Sequence, residues 1–219
     1  MKAGLTFTET LQGHLSFGEH DPQRGASRGV EEGNKILCHL EVRVGDVERF
    51  HLPPQPDNAI SGWVYSSALG RRLPIERGSL RFFVEAEAAT SGGVAHQLRY
   101  CLLLHDDLGH PLTVVGVKTV GENHWSRMWK DATTVYIRLY KGDRFTDVAG
   151  ISDAQISQVR DLETLAVGIV SVRPLAFLKQ LTTLRASDYR SVLRFGGLFM
   201  KRLLRAYTPA GARADGRAR

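Results

Sequence analysis

Glu9 falls on the same face of an alternating segment as Leu5, Phe7, Leu11 and Leu15. An ionised carboxylate on such a face is costly unless it is paired. Lys118 poses the mirror problem in the run Leu112 to Val120, where it shares its face with Leu112, Val114, Gly116 and Val120. Opposite charges on two apolar faces imply that they meet, or that each faces a polar cavity. Two kinds of chemistry are open to them: acid–base catalysis, with Glu9 as acid or base and Lys118 as its electrostatic partner, or the polar anchoring of a bound molecule. A structural ion pair, or a bulge that turns one of them outward, accounts for the same residues without any function.

Other reactive side chains carry weaker signals. Trp125, Trp129, Lys130 and Asp131 follow the Lys118 run, and indole rings there either close over a ligand or plug the core. The histidines lie on polar faces or in turns without metal-ligand spacing, and His105-Asp106-Asp107 reads as a solvated turn. Cys38 and Cys101 sit within strand-like runs and read as small buried fillers. There is no G-x-G-x-x-G loop, Walker loop, G-x-S-x-G elbow, H-E-x-x-H or C-x-x-C, so no metal and no cofactor is expected.

The elements that must position Glu9 and Lys118 are short β-rich runs broken by glycine, proline and asparagine turns. They are residues 5–17, 36–44, 47–52, 60–67, 80–86, 98–104, 112–120, 133–140 and 165–172, with Gly45-Asp46 expected to turn the second directly into the third. The glycine-rich stretch 18–34 reads as a lid or a disordered loop. Helical composition begins only after Gly150: a short helix at 154–159, one at 175–184 opened by Pro174, and one capped by Ser187-Asp188 that runs to about Tyr207. Periodicity does not separate a sandwich from a barrel. We favour an antiparallel β-barrel of lipocalin-like size with C-terminal helices, because closure removes the sheet edges and about eight strands suffice to hold one small ligand. A single domain is expected over 1–207, with its helical segment from about 150, followed by a disordered basic tail at 208–219.

The composition is that of a folded protein: 42% hydrophobic, 24% charged, net charge +6. That charge is local. Lys201, Arg202, Arg205, Arg213, Arg217 and Arg219 stand against Asp215 alone, so residues 1–200 are nearly neutral, which argues against nucleic-acid binding. In the last helix Val192, Leu193, Phe195, Phe199, Met200, Leu203 and Leu204 share one half of the wheel. Arg190, Arg194, Lys201 and Arg205 cluster opposite, with Leu198 on their side, where they would face an anionic membrane surface or an acidic partner. Apolar packing on the barrel is the plainer role of such a helix. The longest apolar run, Leu165 to Val170, is too short to span a bilayer, and Met1-Lys2 leads into polar residues, so a cytoplasmic location is expected.

Four motifs carry a family resemblance: Gly4-Leu5-Thr6-Phe7-Thr8-Glu9-Thr10 followed by Gly13, Tyr100-x-Leu102-x-Leu104, Gly116-x-Lys118-x-Val120, and Trp129-x-Asp131-x-Thr133-Thr134. The stretch Gly168 to Thr183, with Pro174, Phe177 and Leu181, extends it over most of residues 4–207. Together they resemble an accessory domain found in long bacterial proteins, beside cholesterol-oxidase-like flavin oxidoreductases of the glucose-methanol-choline family and beside α/β-hydrolase domains. The resemblance implies work on steroid, lipid or other apolar molecules, and it adds Tyr100, Trp129 and Asp131 to Glu9 and Lys118 as ligand-binding candidates. It brings no catalytic residues, since this chain has neither the flavin nor the hydrolase motif. The expected function is binding of a lipid- or sterol-like molecule as partner of a modifying oxidoreductase. A cofactor-independent isomerase or hydrolase using Glu9 and Lys118, or a protein-docking module, are the other readings.

Overall fold

Alternating segments become strands wherever one face can be buried, and here those faces turn toward a common lumen. The structure is a computed structural model and describes residues 4–50, 52, 56–85, 96–120, 133–149, 156, 159, 162–172, 185–186, 193–199 and 201. In chain order the strands are β1 (Leu5–Phe17), β2 (Lys35–Val44), β3 (Asn58–Ser66), β4 (Gly70–Pro74), β5 (Arg77–Glu85), β6 (His96–His105), β7 (Pro111–Val120), β8 (Thr134–Lys141), β9 (Thr164–Val172) and β10 (Arg185–Ala186). The path β1-β2-β3-β5-β6-β7-β8-β9 is antiparallel throughout, and β9 returns to β1. Eight strands thus close into a barrel. The closing seam runs from Leu11 opposite Val172 to Phe17 opposite Ala166. β4 branches from β3, and β10 pairs with Leu5 and Thr6 where β9 no longer reaches.

The lumen is filled by alternate residues: Leu5, Leu11 and Leu15 from β1, Ile36 to Val44 from β2, Leu98 to Leu104 from β6, and Val135, Ile137 and Leu139 from β8. On the outer side of β6 to β8 a second cluster of Cys101, Val115, Val117 and Tyr140 is covered by the short helix Phe145–Val148 and by Ile156. β6 and β7 are therefore buried on both faces over much of their length.

Beyond the added short elements β4, β10 and the helix Phe145–Val148, two segments differ from the sequence reading. Residues 47–50 and 52 form no strand. Asp46 accepts from the backbone of Glu48 at 2.9 Å and of Phe50 at 3.1 Å, which winds 47–50 into a turn and drops Val47 and Phe50 into the end of the barrel. The hairpin partner of β2 is β3 instead. Part of the stretch read as a lid or loop is a helix, α1 (Pro22–Glu31), capped by Asp21, whose Oδ1 accepts from Arg24 N at 2.8 Å. Its glycines are the reason it docks. A Cβ on Gly25 would stand 2.3 Å from Val167 O, and one on Gly29 would stand 2.3 Å from Leu15 O, so the helix lies directly on the β1–β9 seam. The helices expected at 154–159 and 175–184 lie largely or wholly outside the described residues, as does the tail. In the C-terminal helix, residues 193–199 are helical.

The contact with the seam predicts an inverted sign. Gly→Ala inside a helix normally gains about 0.5–1 kcal/mol. Here Gly29→Ala and Gly25→Ala are expected to lose about 1–3 kcal/mol in urea unfolding, because backbone cannot yield to the added methyl. Ser27→Ala, on the exposed side, should stay within about 0.5 kcal/mol. A stabilised Gly29→Ala would mean that α1 does not rest on the wall.

Candidate functional site

Three strands meet at one polar cluster inside the barrel. Glu9 projects from β1, Tyr100 from β6 and Lys118 from β7, each on the lumen face that its apolar neighbours define. β6 lies four strands from β1 in either direction, so the contact between them spans the lumen. The Tyr100 hydroxyl donates to Glu9 Oε2 at 2.9 Å, and Lys118 Nζ pairs with Glu9 Oε1 at 3.5 Å. The ammonium also stands 5.9 Å from the centre of the Tyr100 ring. All three are withdrawn from water, with exposures of 7% for Glu9, 5% for Lys118 and 4% for Tyr100.

Space for this cluster comes from a missing side chain. Gly116 is the cross-strand partner of Tyr100, and a Cβ there would stand 3.0 Å from Val135 Cγ1 and 3.4 Å from Tyr100 Cβ. The electrostatics follow from burial. Desolvation, the Glu9 charge and the hydrogen bond to Glu9 together hold the Tyr100 phenol well above its usual range, so it stays a donor. Burial, helped by Glu9, pushes the Cys38 thiol up to about 12, and burial does the same for Cys101 on the outer face. Both cysteines are free, buried and unreactive in character.

Above the cluster, one end of the lumen is stopped by rings. Phe50 from the 47–50 turn, Phe82 and Phe83 from a bulge in β5, and Phe195 and Phe199 from the C-terminal helix pack together, with Phe50 and Phe195 centred 4.8 Å apart. Here the helix turns differently from its wheel. Leu198, expected on the outer basic side, is partly buried against the core, while Leu193, expected on the apolar side, is 68% exposed. The inward face is set by Phe195, Leu198 and Phe199, at i, i+3 and i+4, because the phenylalanines have an aromatic socket to fill. Arg194 is exposed and ion-paired with Glu48, and Lys201 is exposed.

Of the candidates read in the sequence, the structure brings Glu9, Lys118 and Tyr100 together. Trp129, Asp131, Arg190 and Arg205 lie outside the described residues. Tyr100 is a candidate through the resemblance alone; its place among Leu98, Leu102 and Leu104 is the residue-level signal that could have found it, since a buried phenol needs a partner. His105 pairs with Glu76 and His110 with Asp106, each at 3.1 Å, and no group of three metal-ligating side chains occurs among the described residues. Comparison of the chain with protein-family models, with curated proteins and with solved structures gives no match.

Two outcomes follow. Glu9→Gln or Lys118→Met alone is expected to cost about 3–5 kcal/mol, and the double substitution less than the sum, because the second removal relieves an uncompensated buried charge. Additive effects with an unchanged melting temperature in each single variant would show that the two are not coupled. The second outcome concerns alkaline pH. Tyr100 and both cysteines keep their protons in the folded chain at pH values where the unfolded chain releases them. Stability is therefore whole below pH 9 and falls as pH climbs from about 9 toward 12, by about 1.4 kcal/mol per pH unit for each group whose unfolded form has ionised. Urea unfolding at stepped pH measures this, and Tyr100→Phe should flatten the slope above pH 10.

Proposed function

We propose that the barrel binds one hydrophobic small molecule, lipid- or sterol-like, and serves as accessory or partner to a lipid- or sterol-modifying oxidoreductase. The observation that carries this reading is the Tyr100–Glu9–Lys118 cluster spanning a mainly apolar lumen. A ligand site of that kind combines apolar walls with a few convergent polar groups. The pair makes poor sense as a stabiliser, since apolar residues of similar volume would serve the core as well or better. An eight-stranded barrel has the width for one such molecule. The oxidoreductase partnership rests on the motifs that hold Glu9, Tyr100 and Lys118, which resemble the accessory domain described above. The exposed Arg194, Lys201 and Leu193 favour peripheral contact with an anionic membrane surface near the aromatic end, where an apolar ligand would be exchanged.

A second reading has one observation in its favour. The carboxylate of Glu9 is held between a phenol and an ammonium, an arrangement suited to proton transfer by a cofactor-independent isomerase or hydrolase.

Native mass spectrometry of the purified chain, followed by extraction of whatever copurifies, distinguishes the readings. Binding predicts about one apolar molecule per chain, recovered unchanged, and an uncharged fluorescent sterol or fatty-chain probe that saturates at the same stoichiometry. Gly116→Leu should abolish probe binding by displacing Tyr100 and Val135, which a Cβ there would already touch. A ligand recovered in altered form would favour the enzyme. A chain that binds neither lipid nor probe would leave only the docking-module reading. Sedimentation with anionic but not neutral vesicles, weakened by salt, tests the membrane contact.

A further inference from the structure

We infer that the occupant of the barrel is an uncharged molecule whose apolar body ends in one hydroxyl or carbonyl oxygen, and that carboxylates and amines of the same length are refused. This rests on the binding reading and narrows it. Glu9 and Lys118 pair one acidic with one basic side chain, so together they carry no net charge. Among the described residues, nothing nearby shifts that balance. Tyr100 and Cys38, the other titratable groups beside Glu9, are held neutral by burial. Arg99 is buried too, but on the outer face with Cys101. His96, also on the lumen side of β6, stands at the barrel end against Phe83.

The hydrogen-bonding capacity narrows the choice further. Glu9 spends one oxygen on Tyr100 and turns the other toward Lys118, and among the described residues the ammonium has no other acceptor. At 3.5 Å that pairing is longer than the 2.7–2.9 Å usual for a charge-assisted bond, so the ammonium has donors to share. A ligand hydroxyl can accept from Lys118 and donate to Glu9. A carbonyl can accept from Lys118. A carboxylate would accept as well, but would set two like charges against one cation in a site withdrawn from water. An amine would meet the same penalty from Lys118.

The experiment compares hexadecanol, a methyl ketone of equal length, hexadecanoic acid and hexadecylamine as competitors for an uncharged fluorescent fatty-chain probe at neutral pH. The alcohol and the ketone are expected to compete about tenfold or more better than the acid and the amine. Glu9→Gln leaves the site with a net positive charge and should reverse the order of acid and alcohol. Lys118→Met should favour the amine. Wild type that takes the acid as tightly as the alcohol overturns the inference while leaving the binding reading intact, and this ratio decides even if a variant does not fold. An unchanged ratio in folded Glu9→Gln overturns it as well. Wild type that binds neither the probe nor any competitor removes the binding reading and this inference with it.

Discussion

A single hydrogen-bonded ion pair crossing the lumen sets the terms for the rest of the molecule. Glu9 on β1 and Tyr100 on β6 stand on opposite walls, and their bond can form only if the barrel closes with β1 and β6 in one register. Because the strand repeat has period two, a slip of one residue in either strand would turn its polar side chain to the outside and an intended surface residue inward. An apolar lumen of leucine and valine tolerates many packings of similar energy. A carboxylate that needs both a phenol and an ammonium tolerates few. The cluster therefore couples register across the whole barrel to one local geometry, at the cost of desolvating two charges.

Closure in turn depends on β1, which at 13 residues is the longest strand. Its first residues pair with β10, its last with β9, and nearly its whole length with β2. The seam with β9 is the side on which α1 rests, brought to backbone contact by Gly25 and Gly29. Backbone donors and acceptors there are already used by the ladder, so the helix contributes by excluding water from the seam and not by hydrogen bonding. The salt bridges of Arg28 with Glu19 at 2.7 Å and Glu32 at 3.3 Å, together with the bond from Ser16 to Glu32 at 2.9 Å, fix the two ends of α1 to the chain around it.

The sequence made the strand faces legible because half-buried strands alternate strictly, and that same alternation exposed Glu9 and Lys118 as misfits. Closure was legible only as an argument about edges, since a sandwich has the same period. Two kinds of feature were hidden. In 18–34 the glycines read as a lid or loop, when Gly25 and Gly29 are the points at which α1 touches the wall. In 47–52 the apolar residues Val47, Phe50 and Leu52 pass for a strand, and only the bonds to Asp46, whose side chain takes the Glu48 amide and whose carbonyl takes that of Phe50, show that the segment turns on itself. A pairing such as Tyr100 with Glu9, 91 residues apart, has no local signature at all. The C-terminal helix was legible as amphipathic, yet the register of its inward face depends on the aromatic socket below it, which Phe50, Phe82 and Phe83 assemble from two distant segments.

That socket differs in kind from the barrel wall. The wall is a closed ladder, and opening it at most of its strand pairs, β3–β5 with two paired residues excepted, breaks several backbone hydrogen bonds at once. The aromatic end is held by side chains alone: a turn of four residues, a bulge in which Phe83 takes a φ of +52° so that two consecutive phenylalanines are both buried, and a helix tied by Arg194 to Glu48 at the surface. Exposed ion pairs of that type contribute at most about 1 kcal/mol. Ring contacts can be exchanged for contacts with another apolar body, whereas ladder hydrogen bonds have no such substitute. On the proposed binding reading, the end of the lumen closed by phenylalanines is therefore where an apolar molecule would replace protein with least loss, and only its polar tip would reach the cluster of Glu9, Tyr100 and Lys118.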